Sequence, residues 1–150
     1  MADLTTTITE SVVLNGALRG STNSITTTGI TSVFERIVTC INGNVTTVAV
    51  FGTAPYSAAG AIDVQNARYI RITNLDADAW IEVAVVTTAS NYTVLLTPGN
   101  SHILAQGEAV ALAEEDTSPS FGTLENLASI QVQPVGVSFD PQVSVFVAAL

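Results

Sequence analysis

The only histidine, His102, is the side chain best suited to acid–base chemistry near neutral pH. It follows the turn-forming run Pro98-Gly99-Asn100, which places it near the start of a predicted strand. A Ser-His-Asp triad also needs a serine and an acid within reach of the imidazole, and the chain has no G-x-S-x-G elbow to position the serine. We therefore interpret His102 as a strand-end or interface residue, and we expect no enzymatic activity.

Carboxylates form two local groups that could bind a cation or act as a general acid and base. Asn74, Asp76 and Asp78 alternate like the first ligands of a calcium loop, but no glutamate completes the EF-hand spacing. Residues 114–116 are contiguous, whereas the paired carboxylates of glycoside hydrolases lie across a cleft. A single cysteine, Cys40, excludes a cysteine-built zinc site. We predict no cofactor, no catalytic residue and no metal site, while a divalent ion at Asp76 and Asp78 stays open.

Four arginines, no lysine and thirteen acidic residues give this 150-residue chain a formal net charge of -9. Binding to a nucleic-acid backbone normally requires clustered Lys and Arg, so we expect no direct contact with DNA or RNA. An anionic membrane surface is disfavoured for the same reason, and no apolar run approaches the roughly 18 residues that span a bilayer. Residues 1–5 lack the basic and apolar regions of a signal peptide, so we expect synthesis in a cytoplasm.

Apolar residues recur with period 2 along most of the chain, whereas the 3.6-residue period of a helix is nearly absent. Turn-forming residues separate these segments at regular intervals, which is typical of a sandwich or barrel. We predict an all-β fold, an antiparallel β-sandwich or jelly-roll-like barrel of about ten short strands. The predicted strands cover residues 4–12, 30–41, 45–51, 62–64, 67–74, 79–86, 92–97, 101–105, 109–112, 128–133 and 143–147, with loops at 52–60 and 114–120.

The clearest local signal in the chain is the dipeptide Asn42-Gly43. It readily takes the positive φ angles of a type I′ turn, so it predicts a hairpin between residues 30–41 and 45–51. The apolar pattern of residues 30–41 is mixed around the charged pair Glu35-Arg36. This pattern indicates a bend, a bulge or a short helical turn within that strand.

A second predicted hairpin joins residues 67–74 to residues 79–86 through a short polar turn. Arg, Tyr and Trp are enriched at interface hot spots because they combine contact area with a polar group. We therefore consider the face that carries these residues a candidate interface. An intramolecular Arg71–Trp80 cation–π contact and an Arg–Glu82 pair are the alternative. The apolar face carries Ile70, Ile72, Ile81, Val83 and Val85, and the candidate interface residues are Tyr69, Arg71, Trp80 and Glu82.

Residues 1–15 are predicted to form an N-terminal arm or edge strand, followed by a single β domain at residues 16–150. Leu4 and Ile8 fall on the same side of the arm, because side chains alternate along a strand. An extended arm can add a strand to the open edge of a neighbour's sheet. Leu4 and Ile8 are therefore further candidate interface residues.

Four segments share a style of Thr-rich or apolar strands broken by short polar turns. They are residues 68–76 (RYIRITNLD), 80–83 (WIEV), 94–104 (VLLTPGNSHIL) and 143–148 (VSVFVA). In this style the chain resembles the small β-rich virion proteins of tailed bacteriophages, most of all the head decoration or cement proteins. The resemblance implies a homo-oligomer, often a trimer, on the capsid surface, where it would bind major capsid protein subunits and tie them together.

Two other functions fit the same β-rich pattern. One is another structural part of a phage, such as a tail-tube, tail-fibre or head-fibre subunit. The other is a carbohydrate-binding module, in which Trp80, Tyr69 and Tyr92 would form a platform for stacking against sugar rings.

Overall fold

The computed structural model describes residues 1–54, 56, 60–105 and 125–150. These residues form thirteen β-strands and no α-helix, which confirms the predicted all-β class. The predicted strand at 109–112, the loop at 114–120 and positions 55 and 57–59 lie outside the described residues. The strands are β1 (Ala2–Thr9), β2 (Val12–Leu14), β3 (Ala17–Arg19), β4 (Thr22–Ile30), β5 (Ser32–Thr39), β6 (Thr46–Gly52), β7 (Ala61–Asp63), β8 (Ala67–Asn74), β9 (Trp80–Thr87), β10 (Asn91–Leu96), β11 (Ser101–Ala105), β12 (Leu127–Val135) and β13 (Gln142–Ala149).

Strands β5 to β13 form two sheets that pack face to face. The strand orders are β10-β9-β12-β6-β7 and β11-β8-β13-β5, and every pair is antiparallel except β6 with β7. If the short strand β7 is set aside, each sheet has four strands, and the order is that of a jelly roll. The predicted antiparallel sandwich is therefore confirmed. Among the described strands no hydrogen-bonded ladder joins the two sheets, so a closed barrel is not observed.

The core lies between the two sheets and consists mainly of β-branched residues. Ile70 and Ile72 on β8 belong to one cluster with Ile81, Val83 and Val85 on β9, and all five are fully buried. Val and Ile suit this position because a branched Cβ packs well on a pleated surface. Burying each of these side chains stabilises the fold by about 1.5–3 kcal/mol.

The predicted hairpin between residues 67–74 and 79–86 is wrong. β8 pairs with β11 and β13, whereas β9 pairs with β10 and β12, so the two strands belong to different sheets. The alternation itself was predicted correctly, since the isoleucines and valines point inwards on both strands. They meet across the sandwich instead of side by side because segment 75–79 crosses from one sheet to the other.

The hairpin predicted at Asn42-Gly43 is also wrong. β5 pairs only with β13 in the described part of the chain, and β6 pairs with β12 and β7. Gly43 has a φ of 76°, but Asn42 does not have a positive φ, as a type I′ turn would require. The Asn44 amide donates to the Ile41 carbonyl at 3.1 Å, which fits a type II turn between the sheets.

The strand predicted at residues 30–41 is divided at Thr31, between the end of β4 and the start of β5, but β5 itself shows no bulge or helical turn near Glu35-Arg36. It keeps one register with β13 from Ser32 to Thr39. Its mixed apolar pattern has another cause, because β5 is the edge strand of its sheet and leaves the outward side chains of Val33 and Ile37 exposed.

Residues 2–30 form a long two-stranded ribbon. β1 pairs with β4 and β2 pairs with β3, and the Glu10 amide donates to the Ser21 carbonyl at 2.8 Å between the two paired sections. Asn15 and Gly16 at the tip have φ angles of 51° and 77°, as in a type I′ turn. The predicted boundary between residues 15 and 16 therefore falls within this turn, and residues 2–9 are paired with their own chain.

Candidate functional site

One face of the ribbon is a ladder of hydroxyl groups. Each pair lies directly across the two strands, and its oxygen atoms are within hydrogen-bonding distance. Such cross-strand pairs stabilise antiparallel strands by a few tenths of a kcal/mol to about 1 kcal/mol each. The pairs are Thr5 with Thr26 at 3.4 Å, Thr7 with Ser24 at 2.8 Å and Thr9 with Thr22 at 3.2 Å.

The other face of the ribbon packs against the outer face of the four-stranded sheet. Near the base, Leu4 and Ile30 contact a cluster that contains Tyr69 and Ala148. Further along, Ile8 on the ribbon and Tyr69 on β8 line a cavity of about 60 Å³. The apolar side of the predicted arm is thus partly covered by its own domain, and the ribbon is fixed to one side of the sandwich.

Phe146 on β13 connects the predicted interface residues Tyr69 and Arg71. Its ring lies 6.0 Å from the Tyr69 ring at an interplanar angle of 71°, and the Arg71 guanidinium carbon is 5.6 Å from its centroid. The edge-to-face ring pair and the cation–π contact both fit known preferences. Nε of Arg71 is buried and has no hydrogen-bond partner among the described residues.

The structure therefore brings four of the six candidate interface residues together, at the junction of ribbon and sheet. Trp80 and Glu82 lie on the outer face of the other sheet, on the opposite side of the sandwich. The proposed Arg71–Trp80 contact and the Arg–Glu82 pair do not form, because the sandwich separates these residues. The four residues at the junction are Leu4, Ile8, Tyr69 and Arg71.

The aromatic platform expected for a carbohydrate-binding module is also not formed. Tyr69 is buried beside the ribbon, and Trp80 is exposed on the opposite sheet. Tyr92 points between the sheets, where it packs against the core. These three rings cannot contact one ligand together.

The tip of the ribbon carries exposed apolar side chains that the sequence interpretation missed. Val12, Val13, Leu14 and Leu18 are 57, 70, 60 and 72% exposed. Val13 and Leu18 lie opposite each other on one face of this hairpin, while Val12 and Leu14 lie on the other face. Single exposed apolar residues are common, but such a cluster on one short hairpin marks an interaction site. The available signal was Asn15-Gly16 between two apolar runs, which predicts a type I′ hairpin.

His102 and Tyr92 close one side of the sandwich. They lie on β11 and β10, the edge strands of the two sheets, and Nε2 of His102 is 3.0 Å from the Tyr92 hydroxyl. Burial lowers the pKa of His102 and raises that of Tyr92, so both favour their neutral forms. Within the described residues this is the only side-chain hydrogen bond of His102, and it joins the sheets.

Asn74 and Asp76 shape the crossing between the sheets. Asn74 is fully buried, and its Nδ2 donates to the carbonyls of Ala79 at 2.7 Å and Leu96 at 3.3 Å. Oδ1 of Asp76 accepts the amides of Asp78 at 2.9 Å and Ala79 at 2.8 Å. Oδ1 of Asn74 in turn accepts the Asp76 amide at 3.0 Å. These bonds are those of a capped turn, and they engage oxygen atoms that the calcium-loop interpretation would use as ligands.

The remaining groups with altered acidity also contact the backbone or core. Cys40 is fully buried, and burial raises the pKa of its thiol to about 11. Glu125 accepts hydrogen bonds from the Thr87 hydroxyl and the Ala89 amide, which hold the pKa of its carboxyl below the usual range. Within the described part of the chain, no three His, Cys, Asp or Glu side chains lie together as metal ligands would. The same residues contain no helix long and apolar enough to cross a membrane.

The chain was compared with known protein families, curated proteins and solved structures. No protein-family model, no curated protein and no solved structure matches it. Function must therefore be inferred from the surfaces of the molecule.

Proposed function

We propose that this protein is a non-enzymatic structural subunit that binds a larger protein assembly through its ribbon. The observation that carries the proposal is the exposed apolar tip at residues 12–18, at the end of a ribbon fixed to a rigid sandwich. Burying the pair on one face of the tip, Val13 and Leu18, in a partner would stabilise the complex by a few kcal/mol before the costs of association. The tip is the part of the ribbon farthest from the domain that covers its base.

The partner we propose is the major capsid protein of a tailed bacteriophage, with this chain as a decoration or cement protein on the capsid surface. The resemblance in sequence style supports this assignment, and the jelly roll is a fold that recurs in viral capsid proteins. Fold alone does not determine function, so the ribbon carries the argument. The net charge of -9 would keep free copies apart until they bind.

A trimer at local three-fold positions of the capsid would contact the capsid through three ribbon tips. Three tips on one trimer bind together, so a weak contact per tip gives a long-lived complex. The mass of the purified protein in solution tests this part of the proposal directly.

The experiment is to mix purified protein with capsids that lack it and to measure bound copies and capsid heat resistance. The wild-type chain should bind and raise the heat resistance. Leu18→Glu should reduce occupancy at least about tenfold, because it places a charge in the apolar contact. The matched control is Val50→Glu, which adds the same charge at an exposed strand position on the opposite sheet.

Three results would contradict the proposal. The wild-type chain could fail to bind the capsid, Leu18→Glu could bind as well as wild type, or Val50→Glu could lose as much as Leu18→Glu. A labelled copy located on the tail in negative-stain images would keep the structural role but move it to a tail or fibre subunit.

A further inference from the structure

The outer face of the five-stranded sheet carries a groove that no part of the proposed docking uses. Its volume is about 140 Å³, and it is lined by residues of β9, β10 and β12 and by Val45, which precedes β6. Ala84 forms the floor because its methyl group lies between the longer side chains of Thr93 and Gln131 in the same row. Drug-sized ligands usually occupy at least about 300 Å³, so this groove suits a single ring of a longer ligand.

The walls of the groove carry unused hydrogen-bonding groups. Glu82 lies between Leu95 and Gln133 in the neighbouring row. Among the described residues, no hydrogen bond or ion pair engages the side chains of Glu82, Gln133 or Thr93. Gln131 uses only its Nε2, which donates to the Ser129 hydroxyl at 3.3 Å. Amides, a hydroxyl and a carboxylate together both donate and accept, as sugar hydroxyls do.

An exposed indole lies beside this groove on the same face. Trp80 is 48% exposed and precedes Glu82 by two residues on β9, which separates their Cα atoms by about 7 Å. A flat aromatic ring next to polar groups offers one ligand ring a stacking surface and the next ring hydrogen bonds.

We propose that this groove binds a neutral oligosaccharide, with one sugar ring stacked on Trp80 and hydroxyls of the adjacent ring hydrogen-bonded to Glu82 and Gln133. Glu82 and the net charge of -9 repel sialylated, sulfated or uronic-acid sugars, which selects neutral ones. The ribbon covers the other sheet, so a chain docked by its tip leaves this face accessible. The site therefore stands independently of the docking proposal.

The test is to screen the full-length protein on a glycan array and to measure the best neutral oligosaccharide by calorimetry. Dissociation constants on the order of 0.1–1 mM are expected, because a shallow groove buries little surface. Trp80→Ala should weaken binding about tenfold through the loss of stacking. Ala84→Leu should abolish binding by filling the groove, and its outward side chain leaves the core unchanged.

The matched control is Leu18→Ala, at the ribbon tip, which should bind the same glycan with wild-type affinity. Circular dichroism melting of each variant separates loss of binding from loss of fold. Three results would overturn the site: no binding to any neutral glycan, preferred binding to anionic glycans, or binding that survives both Trp80→Ala and Ala84→Leu. Leu18 variants test capsid binding by the ribbon tip, whereas Trp80 variants test glycan binding by the groove. The failure of one proposal can therefore be distinguished from the failure of the other.

Discussion

The ribbon and the sandwich are both antiparallel β-structure, yet they keep their side chains in different environments. In the sandwich, alternate side chains of β8 and β9 are fully buried between two sheets. At the ribbon tip both faces are exposed, and only backbone pairing holds the strands. The same period-2 pattern thus forms a buried core where a second sheet covers the apolar side chains. Where no second sheet is present, as at the ribbon tip, the apolar side chains stay exposed to solvent.

The first way to test this comparison is to remove one apolar side chain from each region. Ile81→Ala in the core should lower the free energy of unfolding by about 2–5 kcal/mol, because it leaves a cavity in a packed cluster. Leu18→Ala at the tip should change it by no more than about 0.5 kcal/mol. Urea unfolding measures both, and similar losses would show that the tip is packed in the free protein.

A glycine in the ribbon offers a second test, of intermediate size. Gly20 has a φ of 115°, and a Cβ there would overlap the backbone carbonyl of Glu10. Gly20→Ala should disrupt the ribbon locally by about 1–3 kcal/mol and increase amide hydrogen exchange at residues 12–19. The melting temperature of the sandwich should stay unchanged.

Gly52→Ala is the matched control for this change. Gly52 ends β6 without a positive φ, and a Cβ there would meet no neighbouring atom. It should leave exchange at residues 12–19 as in wild type. If Gly20→Ala melts the sandwich as well, the two regions are coupled more tightly than their contacts indicate.

The smallest expected effect is a pH dependence in the sandwich. Burial lowers the pKa of His102 from its ordinary value of 6.5, so the unfolded chain takes up the proton more readily. The stability linked to this group is complete above pH 6.5 and declines as the pH falls through the lowered pKa. Urea unfolding at pH 7.5 and pH 5 should show a modest loss for wild type.

His102→Gln should abolish that pH dependence while keeping a polar partner for Tyr92. Glu125 should not contribute to this difference in the free energy of unfolding. Its pKa lies below the ordinary value of 4.5, so the stability linked to Glu125 is lost only below that pH. A wild-type chain with equal stability at both pH values would contradict the assignment to His102.

Within the sandwich the sequence was sufficient to predict most strands and their buried faces, but it could not assign the strands to sheets. Alternation identifies Ile70 and Ile81 as inward residues whichever strands are neighbours. A short polar turn fits a hairpin and a crossing between sheets equally well, so segment 75–79 was misassigned. The difference lies in Asn74, whose side chain donates to the carbonyls of both Ala79 and Leu96. The bond to Leu96 is long-range and leaves no local pattern in the sequence.

The candidate surfaces were predictable only in part. Trp80 and Glu82 were chosen by residue type, and both lie on an exposed face. The groove beside them was not predictable, because Gln131 and Gln133 come from β12, far along the chain. At the tip, Asn15-Gly16 forms the type I′ turn that was predicted at Asn42-Gly43. Both are Asn-Gly dipeptides, so the dipeptide alone does not distinguish them, and residues 16–29 received no predicted strand.

Strand β13 is synthesised after both strands that it pairs with, and it lies in the interior of its sheet, between β8 and β5. Until the ribosome has produced it, β5 has no partner among the described strands and β8 has only β11. The ribbon, by contrast, needs only neighbouring residues and can form while the rest is still being translated. Nascent chains should therefore expose the apolar tip before the sandwich has folded, and any contact that the tip makes can begin during translation.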